Sequence, residues 1–111
     1  IGLELAQSIY SIVLDNKATG HTKNFNAEIA SVAKKDLKAG QKLDGEGGYC
    51  ARGRLISSKR SKQERILPMG YTDNVTLKKD IMKDEFISLD DVEIKVPKQI
   101  IEAREYQYNL I

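Results

Sequence analysis

The sequence predicts a mainly-β domain with one helix at each end. Three observations predict it. Short strand-forming segments, separated by Gly- and Asp-containing turns, fill the middle of the chain. One ten-residue segment recurs at an offset of 44 residues. Both ends carry apolar residues at helical rather than alternating spacing.

The first helix is ELAQSIYSIVLD. Glu4, Ser8, Ser11 and Asp15 form one polar stripe, and Leu3, Leu5, Ala6, Ile9, Tyr10, Ile12, Val13 and Leu14 cover the rest. No Ser, Thr, Asp or Asn stands before it as an N-cap. A helix apolar over most of its circumference belongs inside something larger. The sequence opens at Ile1, inside this pattern, so residues 1–16 are expected to be a helix of a preceding catalytic domain, cut from a longer protein. The alternative is that the helix packs on its own small domain.

Residues 17–27 are polar, contain Gly20, and read as a linker. Residues 28–96 form the predicted β domain. Glu28–Ala33 is a strand, followed by KKDLKAGQKLD with Gly40 as its turn residue. Tyr49–Ile56 has an ambiguous period and fits a strand or a short helix. Ser57–Arg65, SSKRSKQER, reads as a charged, exposed connection, and Pro68 makes Ile66–Met69 an edge or loop. Asn74–Leu77, Glu85–Leu89 and Val92–Val96 read as strands. Pro97 suits a first helical position, so residues 97–111 form the second helix, with Lys98 and Glu102 spaced i,i+4.

The recurring segment pairs Lys34-Lys35-Asp36-Leu37-Lys38-Ala39-Gly40-Gln41-Lys42-Leu43 with Lys78-Lys79-Asp80-Ile81-Met82-Lys83-Asp84-Glu85-Phe86-Ile87. Each copy reads as a strand, an Asp-initiated turn and a return strand. Two such clips packed face to face would bury their aliphatic residues jointly.

Composition bounds the function. The 111 residues suit one small domain, and 41% hydrophobic with 31% charged residues suits a soluble globular chain. No apolar run approaches the ~20 residues of a membrane span. The net charge of +2, from 18 basic and 16 acidic residues, is too balanced to argue for nucleic acid. Lys59-Arg60-Ser61-Lys62 has no interleaved aromatic residue and reads as a solvated loop. A single cysteine excludes an internal disulfide and suits a reducing cytoplasm; no signal-peptide pattern opens the chain.

The stretch DGEGGYCARG, residues 44–53, is the one candidate for chemistry. A dinucleotide loop needs G-x-G-x-x-G, and Cys50 occupies the third glycine position; no Walker Gly-Lys-Ser/Thr follows either. Gly45, Gly47 and Gly48 are therefore expected in turns at positive φ, with Gly40 as the turn of the first clip. The alternative is that these turns present Glu46, Tyr49 and Arg52 to a polar ligand or a neighbouring domain. His21 stands alone in the linker and reads as a solvated side chain; no metal site and no catalytic residue are expected. Cys50 reads as a buried, inert thiol. Asp90, Asp91 and Glu93 read as the wet face of a strand, and Tyr106 and Tyr108 as either partner-docking or local core contacts.

AKKDLKAGQKLD resembles the SAF-type module found in sialic acid synthases and related antifreeze proteins, altronate dehydratases and flagellar P-ring chaperones. LDGEGGYCARGRLI, with LPMGYTDNVTLKKDI and LDDVEI, is similar to the C-terminal part of homoserine-dehydrogenase-like NAD(P)-dependent oxidoreductases that act on sugar acids. GLELAQSIYSIVLD resembles the last helix before that module. The likeness runs from about Gly2 to Ile94 and departs at SSKRSKQER and at Asp84, where glycine is usual. It implies a β-clip fold and an accessory module that shapes the substrate site or supports assembly. It implies tentative substrate contacts from Glu46, Tyr49 and Arg52, since a carboxylate beside a guanidinium suits the hydroxyl and carboxylate groups of a sugar acid. No cofactor is expected on this chain, and NAD or NADP is expected in the parent. The expected partners are preceding Rossmann and catalytic domains and a homo-oligomer, without nucleic acid or membrane, in the cytoplasm. This chain alone would not turn over substrate. The alternative is a free-standing SAF-type carbohydrate-binding or chaperone module.

Overall fold

The computed structural model describes residues 2–111. Its elements in chain order are α1 (Leu5–Val13), β1 (Ala27–Ala33), β2 (Lys42–Asp44), β3 (Ala51–Ser57), α2 (Ser58–Gln63), β4 (Asp73–Leu77), β5 (Val92–Glu93) and α3 (Lys98–Tyr108). Two 3₁₀ turns, Met69–Tyr71 and Leu89–Asp91, precede β4 and β5. β1 lies antiparallel to β3, with Ala27 opposite Ser57 and Ala33 opposite Ala51. The other edge of β1 meets Pro68 and Phe86 through single bridges to Ala30 and Val32. β2, β4 and β5 form a second antiparallel sheet in that order.

The recurring segment is a structural repeat, and its hydrogen bonds come in pairs. Leu37 N–H donates to the Ile81 carbonyl at 2.8 Å, and Ile81 N–H donates back to Leu37 at 2.9 Å. Gly40 N–H donates to Leu77, and Asp84 N–H to Ala33; Leu77 N–H donates to Gln41, and Ala33 N–H to Glu85. The Asp80 carboxylate accepts from Ala39 N–H at 2.8 Å, and the Asp36 carboxylate accepts from Lys83 N–H at 2.8 Å. Each aspartate thus closes the turn of the other copy. Every partner in these pairs maps onto its counterpart by the sequence offset of 44. A pseudo-two-fold axis therefore passes between Leu37 and Ile81. The turn residues agree as well: Gly40 has φ +83 and Asp84 has φ +69. Aspartate tolerates that left-handed conformation better than most non-glycine residues.

The copies diverge only after their return strands. Ala33 pairs with Ala51, and Leu77 pairs with Val92, so the loop of the first copy is three residues longer. The extra length is the glycine stretch.

The pseudo-equivalent pairs Leu37 and Ile81, and Leu43 and Ile87, lie in one core with Val75, Leu77, Leu67 and Val92. Full burial of each such aliphatic side chain contributes about 1.5–3 kcal/mol. A smaller cluster of Ala30, Ile56 and Ile66 packs with Phe86.

Helix makes up 29% and strand 27% of the chain, so its content is mixed rather than mainly β. Ser57–Arg65 is not an open connection but contains the helix α2. Ser57 Oγ accepts from Arg60 N–H at 3.2 Å as an N-cap, and Arg60 pairs with Glu64 one turn on at 2.8 Å. The inner face of α2 is made of serines, Ser58 and Ser61, both buried. Ser58 Oγ satisfies itself by donating to the Phe25 carbonyl at 2.6 Å. Glu85–Leu89 contributes only the bridges at Phe86 and Ser88, and β5 stops at Glu93. Asp90 and Asp91 sit in the 3₁₀ turn, not on a strand, and pair with Arg65 and Lys79. Pro97 is the cap before α3 rather than its first residue, and the Lys98–Glu102 pair forms at 3.2 Å.

No residue of α1 is buried. Leu3, Leu5, Ile9, Tyr10, Ile12, Val13 and Leu14 are all exposed, Leu3 to 96%. Ile1, the first residue of the expected 1–16 helix, lies outside the described residues. Among the described residues no helix is long and apolar enough to cross a membrane.

Candidate functional site

The glycine loop is wound around the carboxylate at its own start. Asp44, the last residue of β2, accepts from Tyr49 N–H at 2.6 Å and from Cys50 N–H at 3.0 Å. These two bonds, Tyr49 first, hold its pKa down at about 2. Gly48 N–H closes a turn onto Gly45 at 3.4 Å, and Lys34 Nζ donates to the Gly48 carbonyl. Gly45 and Gly47 have φ +77 and +76, as expected. Gly48 does not; it is needed for a different reason. A Cβ there would sit 2.4 Å from the Asp44 carboxylate, which is pinned by its two N–H donors.

The three side chains proposed from the sequence share no partner. Arg52, on β3, donates to Asp84 at 3.0 Å, at the left-handed turn of the second clip. The Glu46 carboxylate lies on the Gly70 side, 3.8 Å from where a Cβ would stand there. Tyr49 is 83% exposed. No hydrogen bond or ion pair among the described residues joins Glu46, Tyr49 and Arg52. Cys50 is buried, and burial followed by the Asp44 carboxylate pushes its thiol above the ordinary range. That is the opposite of what a nucleophilic thiolate requires. No group of three or more metal-ligating side chains occurs among the described residues.

A second site was not foreseen. A cavity of about 430 Å³ lies between α2, the two 3₁₀ turns and α3. Its charged lining is Lys62, Arg65, Arg104 and Glu105, with Ser61, Tyr71, Tyr108 and Asn109 as neutral polar groups. Leu89, Ile94 and Ile101 supply its aliphatic wall. α3 reaches the body through a few side chains. Arg104 pairs with Glu28, whose side chain is only 8% exposed, and its guanidinium lies over the rings of Phe25 and Tyr71. Tyr71 Oη donates to the Ile100 carbonyl at 3.3 Å, and Tyr108 Oη shares a 3.0 Å hydrogen bond with Ser61 Oγ. Lys62 Nζ donates to the Tyr108 carbonyl at 2.6 Å, and Tyr108 packs on Phe25. Tyr106 remains exposed. Burial raises the Tyr71 phenol above its ordinary value, with Arg104 opposing. Nothing local in the sequence links residue 28 to residue 104. The serine-rich stretch that supplies Ser61 and Lys62 carried no helical apolar signal.

Compared with known proteins, the chain matches no family model and no curated protein sequence.

Proposed function

We propose that this chain is a SAF-type β-clip module from the C-terminal part of an NAD(P)-dependent oxidoreductase acting on a sugar acid or similar hydroxy acid. In this reading it shapes the substrate site or supports assembly and leaves the chemistry to other domains. The observation that carries the module reading is the reciprocal pairing of two clips about Leu37 and Ile81. What supports an accessory role is α1, whose large apolar side chains have no cover in this chain. A preceding domain would supply that cover.

In this reading the glycine loop holds no dinucleotide. A phosphate cradle needs free backbone N–H groups. In the glycine loop those of Tyr49 and Cys50 are taken by the Asp44 carboxylate, and that of Gly48 faces Gly45. The nucleotide would belong to the preceding Rossmann domain, with Glu46, Tyr49 and Arg52 offered from the module toward the substrate or that domain. The rival reading, a free-standing carbohydrate-binding or chaperone module, leaves the α1 face without a role.

The deciding experiment is to read the gene upstream of Ile1. The proposal expects a frame continuing for some hundreds of codons and encoding a strand, G-x-G-x-x-G and a helix. A frame that begins just before Ile1, or begins with a signal peptide, overturns it.

A further inference from the structure

We propose that the cavity beneath α3 binds a small organic anion, its acidic group held by Lys62 and Arg65 and its apolar body against Leu89, Ile94 and Ile101. This rests on the cavity's own geometry and not on the oxidoreductase reading. The volume of about 430 Å³ is in the range of small-molecule sites. Its lining carries three cations, Lys62, Arg65 and Arg104, against one carboxylate, Glu105. Arg104 is committed to Glu28, but the other two keep donors in reserve. Lys62 spends one donor of three on the Tyr108 carbonyl. Arg65 uses only Nε on Asp90, leaving both terminal amino groups of the guanidinium free for a fork-like contact.

Arg65 supplies the second observation. It follows the C-cap of α2 with φ +50, a left-handed position where glycine or asparagine is preferred. Its carbonyl is fixed there by Leu89 N–H at 2.8 Å and Ser88 Oγ at 3.1 Å. That conformation is the Schellman end of α2, with Ile66 N–H on the Ser61 carbonyl at 3.1 Å and Arg65 N–H on the Lys62 carbonyl at 3.4 Å, and it fixes where the arginine side chain leaves the backbone at the rim of the cavity.

The test is ¹⁵N-resolved NMR titration of the chain with phenyl phosphate, and with benzyl alcohol as the neutral counterpart. The proposal expects saturable shifts at the amides around Tyr71, Arg65 and Arg104 with phenyl phosphate and much weaker ones with benzyl alcohol. Lys62→Gln and Arg65→Gly should each weaken binding about tenfold, the size of one lost charged contact. Arg65→Gly should also raise the melting midpoint, because glycine relieves the left-handed strain. Ile101→Trp, which fills the cavity, should abolish the shifts. Equal binding of the two probes overturns the proposal. So do shifts confined to α1, shifts unchanged in Lys62→Gln and Arg65→Gly, or no shifts at millimolar probe.

Discussion

Leu37 and Ile81 exchange backbone hydrogen bonds at 2.8 and 2.9 Å across the pseudo-two-fold axis. Both side chains are buried in the same core, at 1% and 2% exposure. The two positions are thus equivalent in backbone role as well as in packing. Leu37→Ala and Ile81→Ala should each destabilise by about 2–5 kcal/mol, the range for removing a buried aliphatic side chain. Their costs should be alike. Urea denaturation measures both, and strongly unequal values would mean that the symmetry of the turns does not extend to the core.

Asp44 gives the chain an acid-sensitive loop. Its folded pKa of about 2 lies below the ordinary 3.8. A depressed carboxylate contributes stability that is present above the unfolded value and lost as pH falls through the folded one. The contribution should therefore fade between about pH 4 and pH 2, where the Tyr49 and Cys50 N–H groups lose their charged acceptor. Asp44→Asn should be less stable at neutral pH and show a shallower loss over that window. Melting midpoints from pH 2 to pH 7 make the comparison.

Two neighbouring glycines should respond to alanine for different reasons. Gly47 has φ +76 with open space around its Cβ position, so Gly47→Ala should cost only the left-handed strain, about 1–2 kcal/mol. Gly48→Ala would push its Cβ into the Asp44 carboxylate. It should be the more damaging change and should remove the acid dependence assigned to Asp44. In the Asp44→Ala background, which removes the colliding atoms, its added cost should shrink; full additivity would show that the collision is relieved elsewhere.

Arg104→Ala would leave Glu28 almost buried without its cation. The loss should be about 2–3 kcal/mol, below the full value for a buried pair because the Arg104 side chain is 24% exposed. Glu28→Gln in the same chain should recover part of it. Amide exchange should show α3 opening before the clips do, since α3 is held by side-chain contacts alone around Arg104, Tyr71 and Tyr108.

How much of this was legible in the sequence follows from which groups do the holding. The repeat was visible because Asp36 and Asp80 perform the same bond in each copy, so the residue type had to recur. The three-residue excess in the glycine loop was not, because register is set by pairing of Ala33 with Ala51 and Leu77 with Val92. α2 was missed because serine hydroxyls replace an apolar face, and periodicity of hydrophobic residues has nothing to register. The cavity depends on Glu28 meeting Arg104, a contact between distant parts of the chain. In the glycine loop the residue type itself marks the positive-φ turns at Gly45 and Gly47, whereas the need for Gly48 comes from a carboxylate folded back over it.

In the proposed module the paired clips form a body complete in itself, and α1 docks on a neighbouring domain. The most direct test compares the whole chain with residues 17–111 by thermal denaturation and sedimentation. The shorter chain should keep the same melting midpoint and lose any self-association shown by the longer one, since no residue of α1 is buried. A clear fall in the midpoint on removing α1 would contradict it, because the helix would then be part of the domain's own core.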